Sequence, residues 1–516
     1  MANQAFQSQI IADVGISFGD EGKGRVVYEV VDQIVEKQAA ADSVAMVLKV
    51  NGGANSGHTA GGLKHNLLPC GIVDDRIPLL ALGAGVVADP RKIWWEVTAI
   101  EARNYQVLPR LRIDERTLVS DLCHRLLDLS WEAYRVDILN EEARGSTGRG
   151  ITPAFSDEVN QWQIFFDDFR HGKDHYAAKL KRRMERAMDV IQHVCKVEPS
   201  VWNSFFELLS AAELRANQET IDNGKLPASE FHFDGFKGEE PFTLNFDYLL
   251  DVYWQAGSQL INNIIDVREG VLTALDREKY VICEFGQSYW LDKRQGFTPN
   301  VTASHSYSPE VFQSAGIPLQ PVHTIGVCKA YDTKVGTHVF LTEMEDDDPL
   351  GTMLKKLEFG TSTGRQRMVG WFDAVEKGST LRYGGYQDLV INKIDALSHQ
   401  GDWQGKLKIC TAYEDENGKK YYQVPRNDEL RKSLKPVYVE IDGWDEDISV
   451  ARSFADLPDN AKRYVAWMLK STYDCANHGN QIAIPLPNIR FVGVGPDHCQ
   501  ILSDIPESEQ LMKLID

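Results

Sequence analysis

The feature that most limits what this chain can become lies in its first forty residues. Residues 9–17 (Gln-Ile-Ile-Ala-Asp-Val-Gly-Ile-Ser) form a short apolar, β-rich run. Phe18-Gly-Asp-Glu-Gly-Lys-Gly-Arg25 follows, and residues 25–37 then carry apolar side chains at helical spacing. A strand that ends in glycines and passes into a helix brings backbone N–H groups and a helix N-terminus to one point, which suits a phosphate. The loop is not the P-loop pattern G-x-x-x-x-G-K-[ST]. Alone, such a loop is either a tight turn or a ligand cradle. Two carboxylates (Asp20, Glu21) and a lysine (Lys23) at one strand end favour the cradle.

The pattern then repeats. Residues 45–50 read as a buried strand running into Asn51-Gly-Gly-Ala-Asn-Ser-Gly-His-Thr59, where Asn55 and His58 stand three apart among glycines. Asp89-Pro90 reads as an N-cap with proline at the first helical position, opening a helix with Ile93, Trp94, Val97 and Ile100 on its apolar side. Residues 172–275 are charged and helix-like, with a loop or insertion at 215–245 rich in Gly, Asn, Asp and Pro. Strand signals return at 280–284, 324–329, 389–393, 407–412 and 489–494. Strands alternating with helices predict an α/β fold with a largely parallel sheet. The acidic run Glu343–Asp348 reads as a solvated loop.

Bulk properties narrow the function classes. The net charge of −20 argues against nucleic-acid binding, which depends on Lys and Arg neutralising phosphates, but a few local cations can still hold a small anion. Eight scattered cysteines without a C-x-x-C pair argue against a disulfide framework or a zinc site and suit a reducing compartment. No basic segment followed by an apolar run opens the chain, and the longest apolar stretch, 77–88, is interrupted by Pro78 and too short to span a bilayer. A cytoplasmic protein without membrane or nucleic-acid partners is the expectation.

The ordered motifs resemble one family. F-G-D-E-G-K-G at 18–24 and G-G-A-N-S-G-H-T at 52–59 are similar to the W-G-D-E-G-K-G and G-G-x-N-A-G-H-T of adenylosuccinate synthetases. Gly145-Ser-Thr-Gly-Arg-Gly-Ile-Thr-Pro153, Glu284-Phe-Gly-Gln287 with Leu291-Asp292, Val301-Thr302, and Gly326-Val-Cys-Lys-Ala-Tyr331 through Val335-Gly336 continue the likeness in order. So do Phe340-Leu-Thr-Glu343, Glu358-Phe-Gly-Thr-Ser-Thr-Gly-Arg-Gln-Arg367 with Gly370-Trp371, Asn392-Lys-Ile-Asp395 and Gly495-Pro-Asp497. The stretches 156–275 and 412–490 carry little of it.

The resemblance implies a P-loop-NTPase-like adenylosuccinate synthetase fold, one domain over 1–516 with a helical, partly inserted subregion at about 156–275. It implies ligation of L-aspartate to IMP at the cost of GTP, through a 6-phosphoryl intermediate, by a Mg²⁺-dependent homodimer. Catalytic roles fall on Asp20 (base toward N1 of the nucleotide), His58, Lys23 and Gln287. The monophosphate would be bound by Asn55, Thr147, Gln287, Thr302, Val335 and Arg365. GTP would be bound by Gly22, Lys23, Gly24, Gly57, Thr59, Lys393, Asp395, Gly493, Gly495 and Pro496. Aspartate would be held by Thr361, Ser362, Thr363, Arg365 and Arg367, the arginines being suited to a bidentate carboxylate clamp. Mg²⁺ would be held by the Asp20 carboxylate and the Gly57 carbonyl.

The chain departs from the family pattern in four places. The arginine that the family lends across its dimer falls on Gln161 by ungapped counting, with Arg170 or Lys173 as substitutes only if the loop is rebuilt. T-S-S-N-T-T-A-G-G becomes Thr302-Ala-Ser-His-Ser-Tyr-Ser-Pro309, which puts His305 near the expected nucleotide. Phe18 stands for tryptophan, and the helical middle is longer than usual. The changes gather on the monophosphate side. An acceptor other than IMP, such as GMP or dGMP, is therefore the alternative substrate, and a nucleotide-binding protein without catalysis is the alternative class.

Overall fold

The computed structural model describes residues 5–38, 40, 42–334, 339–358 and 366–515. Ten strands form the central sheet: β1 (Ile10–Gly15), β2 (Val44–Lys49), β3 (Leu79–Leu82), β4 (Leu111–Asp114), β5 (Ile264–Ile265), β6 (Tyr280–Ser288), β7 (His323–Lys329), β8 (Asp388–Asn392), β9 (Asn488–Gly493) and β10 (Ile501–Leu502). Their order across the sheet is β5-β4-β3-β2-β6-β1-β7-β8-β9-β10. Every pairing is parallel except β9 with β10. The predicted α/β class with a mostly parallel sheet is what forms.

The reason lies in β1. All six of its residues are buried. Ile10, Ala12 and Val14 join one apolar cluster and Ile11 the other, so alternate side chains fill opposite faces. A strand covered on both sides reads as a continuous apolar run, and parallel neighbours require crossovers that supply the covering helices. Helix α1 (Lys23–Gln38) covers one face through Val26, Val27, Val30, Val31 and Ile34. Helices Ala374–Gly384 and Asp459–Asn477 cover the other with Val375, Leu381, Val465, Met468 and Leu469.

Helix α2 (Pro90–Glu101) begins as expected: the Asp89 carboxylate accepts from the Arg91 and Lys92 amides, with Pro90 in the first turn. Its buried tryptophan is Trp95, while Trp94 is half-buried and donates its indole N–H to the Ala256 carbonyl at 2.7 Å. The middle of the chain folds into α3 (Leu122–Ala133), α4 (Ile151–Val159), α5 (Lys173–Asp189), α6 (Pro199–Ala216) and the helix Phe246–Ser258. Phe166, Phe169, Tyr176, Trp202, Phe206, Phe231, Phe233, Phe236 and Tyr253 pack into the same cluster as α1. This aromatic filling is how the helical region adheres to the sheet.

One expected strand lies elsewhere. Residues 407–412 extend to Leu407–Glu414, but this strand pairs antiparallel with Lys435–Ile441 and Lys420–Tyr421 and parallel with Phe372–Asp373, in a separate four-stranded sheet. Its residues are buried in an interrupted pattern, as a strand packed mainly on one side requires. Residues Glu345–Asp347 of the acidic run are exposed, and Asp348 caps the helix Pro349–Lys355. Among the described residues no helix is long and apolar enough to cross a membrane.

Candidate active site

In an open parallel sheet, ligands collect beyond the carboxyl ends of the strands, where crossovers leave in opposite directions and open a crevice. Here the loops after β1, β2, β6, β7, β8 and β9 all lie at that edge, and they carry the motifs named above. Backbone conformation shows why the first loop is glycine-rich. Gly19, Asp20 and Gly22 have φ of 105°, 59° and 87°, and a Cβ on Gly24 would sit 2.9 Å from the Thr59 carbonyl oxygen. Asp20 is a non-glycine residue held in a left-handed turn, a cost usually tolerated only where the surroundings enforce it.

Within the loop Glu21 and Lys23 are buried together. Lys23 Nζ donates to Glu21 Oε2 at 2.8 Å and to Ser288 Oγ at 3.2 Å, while the Gly19 amide donates to Glu21 Oε1 at 2.8 Å. Burial opposes the Glu21 charge, but Lys23 and these hydrogen bonds outweigh it and bring its pKa down to about 2. The Asp20 side chain is one-third exposed, and its Oδ2 is ion-paired with Arg367. Arg367 also donates to Glu358 Oε2 at 2.8 Å. Glu358, fully buried, accepts in addition from Lys329 at 3.0 Å, Tyr331 at 2.6 Å and Lys393 at 2.5 Å. Sequence reading quoted Glu358 only as the start of a motif. The structure makes it the anchor for three cations around Asp20.

The second loop carries His58 at the start of a small hairpin, His58–Ala60 against Leu63–His65. His58 Nδ1 is hydrogen-bonded to Glu284 Oε1 on β6, and its Nε2 is buried without a partner among the described residues. Burial lowers the His58 pKa, with Glu284 opposing, so the ring is neutral at rest with its proton on Nδ1. Glu284 had no role in the sequence reading, because nothing near it in the chain announces a partner 226 residues away.

The proposed monophosphate residues Asn55 and Gln287 meet: Gln287 Nε2 donates to Asn55 Oδ1 at 3.1 Å, and Asn51 Nδ2 donates to Gln287 Oε1 at 3.1 Å. Asn51 also donates to the His305 carbonyl at 2.8 Å, so His305 does lie beside this group, its ring held by Asp292 at 3.1 Å. Thr302 Oγ1 is buried without a partner among the described residues, and Thr147 is exposed. Beside Thr147, Arg149 and Arg125 both pair with the fully buried Glu213 of α6, wiring the helical region to this loop. Gln161 is exposed with φ of 63° just past α4. Arg170 is bound to the Ile264 carbonyl and to Asp167, and Lys173 to Asp251 at 2.6 Å.

The far end of the edge presents Asp395, whose Oδ1 is buried without a partner among the described residues and whose pKa is raised by burial. Lys393, φ 62°, turns the chain into that residue. Arg25, unassigned by sequence reading, donates to the Gly495 carbonyl at 2.6 Å and to that of Asp497, while Asn392 Nδ2 donates to the Glu21 carbonyl at 2.6 Å. The first and last loops of the site are thereby joined. A Cβ on Gly493 would meet Asn392 Oδ1 at 2.7 Å. Gly57 is part-buried, and Thr59 and Pro496 are exposed. Val335, Thr361, Ser362, Thr363 and Arg365 lie outside the described residues.

Comparison with known proteins agrees with the motifs. The family model for adenylosuccinate synthetase matches residues 12–226 and 226–477. The adenylosuccinate synthetase of Clostridium perfringens is 31% identical over 499 residues, covering 95% of this chain and 97% of that protein. That of an Exiguobacterium species is 32% identical over 465 residues, covering 88% and 91%. A solved structure of fully ligated adenylosuccinate synthetase from Plasmodium falciparum shares the fold, with a TM-score of 0.76 and 24% identity over 96% of this chain and 100% of that one. The chain therefore belongs to the adenylosuccinate synthetase family and is a nucleotide-binding ligase of purine biosynthesis.

Proposed function

We propose that this chain joins L-aspartate to IMP at the expense of GTP, through 6-phosphoryl-IMP, giving adenylosuccinate, GDP and phosphate. One observation carries the reading: a part-exposed Asp20, forced into a left-handed turn and held by Arg367, stands on the loop whose neighbour carries His58. A carboxylate so placed takes the proton from N1 of the base, so that O6 attacks the γ-phosphate. His58, neutral at rest, directs Nε2 chemistry because Glu284 occupies Nδ1, and the charge of a triphosphate beside it favours the protonated ring. Arg367 serves first as the partner of Asp20 and then as a carboxylate ligand for the incoming aspartate, whose amino group displaces phosphate from C6.

Asn55, Gln287, Thr147 and Thr302 bind the monophosphate with Val335 and Arg365, and Thr361, Ser362 and Thr363 complete the aspartate loop. Asp395 accepts from guanine N1–H and the 2-amino group, a pair of donors adenine lacks, and Lys393, Gly493, Gly495 and Pro496 frame that base. Gly22, Lys23, Gly24, Gly57 and Thr59 line the phosphates. Asp20 Oδ2 is the oxygen paired with Arg367, so the exposed carboxylate and the Gly57 carbonyl make a hard-oxygen set suited to Mg²⁺, which takes few protein ligands and keeps phosphate and water for the rest. Mg²⁺ bound there would offset triphosphate charge. The protein is proposed to act in the cytoplasm as a homodimer of single-domain subunits, with 156–275 as a helical subregion.

The segment Thr302–Tyr307 lies on the monophosphate side and differs from the family pattern, which makes a guanine nucleotide such as GMP or dGMP the competing acceptor. The test is phosphate release from GTP with aspartate and IMP, GMP or dGMP in parallel. Turnover with IMP alone is expected. Turnover with GMP or dGMP and not IMP would overturn the acceptor, and tight binding of IMP and GTP without phosphate release would mark a protein that has lost catalysis.

A further inference from the structure

The scattered cysteines argued against a zinc site, yet folding assembles donors that no spacing rule would find. His58 and His65 face each other directly across the small hairpin. Cys70 follows five residues later at the start of a 3₁₀ turn, and Glu284 reaches the same point from β6. Cys70 Sγ lies 3.3 Å from His58 Nδ1, 3.3 Å from Glu284 Oε1 and 3.8 Å from His65 Nε2. All four side chains are buried.

These separations have a simple geometric meaning. A tetrahedral ion with bonds of about 2.0–2.1 Å to N or O and about 2.3 Å to S holds its ligand atoms about 3.3–3.6 Å apart. The three measured edges differ from that range by at most about 0.2 Å. His58, Cys70 and Glu284 already bring their donor atoms within 4.8 Å of one another. The His58–Glu284 contact, closed by a hydrogen bond, has to open, and His65, which touches only the sulfur, has to swing inward to complete the tetrahedron. A second observation points the same way: His65 is buried, its Nδ1 has no partner, and its Nε2 reaches only the weakly bonding sulfur among the described residues. A buried imidazole with no strong hydrogen bond on either nitrogen is costly unless something else uses a lone pair.

We propose that His58, His65, Cys70 and Glu284 form a binding site for a borderline-soft divalent transition ion of the Zn²⁺ class, distinct from the hard-oxygen set at Asp20. One imidazole pair, one thiolate and one carboxylate match the donor preferences of that class and not those of Mg²⁺. Binding balances as follows. The Cys70 thiol releases its proton to solvent, and the His58 ring proton moves from Nδ1 to Nε2 so that the Nδ1 lone pair reaches the metal. His65 needs no deprotonation, since burial holds its pKa down at about 4. Burial and the neighbouring Glu284 push the Cys70 thiol well up, so the thiolate forms only as the ion arrives. Since His58 is also the residue proposed to face the transferred phosphoryl group, occupancy withdraws it from that role, a consequence that rests on the proposed function whereas the site itself does not.

The test uses the full chain carrying Cys499→Ser, which removes the exposed thiol, and Co²⁺ as the probe. One equivalent of Co²⁺ is expected to bind with a thiolate-to-metal charge-transfer band. Zn²⁺ should displace it, and millimolar Mg²⁺ should not. Cys70→Ser should abolish the band while thermal unfolding stays cooperative, and His65→Gln should weaken Co²⁺ binding about 10-fold or more. A band that survives Cys70→Ser, or the lack of stoichiometric binding by the parent protein at micromolar concentration, would overturn the site whatever the enzyme assay shows.

Discussion

Replacing Glu358 by Gln keeps its shape and removes its charge, and the structure allows the cost to be worked out. The carboxylate is fully buried and accepts from Lys329, Tyr331, Lys393 and Arg367. Burial alone would raise its pKa, but Lys329 and Lys393 outweigh that and bring it from 4.5 to about 2. Such a fall corresponds to about 3 kcal/mol of folding stability, consistent with the ~3–5 kcal/mol lost when one partner of a buried ion pair is removed. Lys329 limits the loss. Burial already lowers its pKa to about 8, with Glu358 opposing, so the variant can relieve strain by releasing that proton near neutrality. Because the carboxyl pKa is depressed on folding, its contribution is complete above about 4.5 and is lost as pH falls toward about 2. With an unfolding entropy of about 2 cal/mol/K per residue over this length, 3 kcal/mol is a drop in Tm of about 3 °C. Calorimetry at pH 7 and at pH 3 checks this. Equal Tm values at pH 7, or a gap that widens on acidification, would refute the reasoning.

Three further outcomes are expected. Asp20→Asn should lower kcat by about 10²–10⁴ while IMP and GTP still bind, as measured by phosphate release beside calorimetric titration; undiminished turnover would remove Asp20 from the chemistry. Asp395→Asn should raise the KM for GTP about 10-fold or more, the worth of a hydrogen bond to a charged group, while slightly raising Tm at pH 7. The sign follows because burial raises its folded pKa, so its charge costs stability as pH rises through that range, and a Tm that falls would contradict it. Glu213→Gln should cost about 3–5 kcal/mol by stranding Arg125 and Arg149 and should raise the KM of the acceptor more than that of GTP; equal effects on both would show that the helical region does not address the monophosphate side.

What the sequence disclosed about this molecule follows the range of its interactions. The Gly19–Gly24 loop was legible because its determinants are local: the left-handed turn at Asp20 needs neighbouring glycines, and Glu21 reaches Lys23 two residues on. The strand-to-helix order was legible for the same reason, since β1 is apolar except at Asp13 and α1 repeats at helical spacing. The strand Leu407–Glu414 was recognisable as a strand but not as a member of a separate sheet, because its partner Lys435–Ile441 is set by pairing across a long excursion.

The residues that escaped notice are carboxylates whose partners lie far along the chain. Glu284 meets His58 across 226 residues, Glu213 meets Arg149 across 64, and Glu358 meets Lys393 across 35. A buried carboxylate is indistinguishable in sequence from an exposed one, yet the exposed one contributes little and the buried one must be matched by cations or hydrogen bonds. The division of labour in the site follows from this. The short-range motifs supply the groups proposed to touch substrate, Asp20, His58 and Asp395, while the long-range acids Glu284, Glu358 and Glu213 hold the bases and cations around them. Altering the second set should therefore lower stability together with rate, whereas altering the first should change rate or nucleotide affinity without loss of stability, and the two classes of variant can be told apart without knowing which acceptor the enzyme uses.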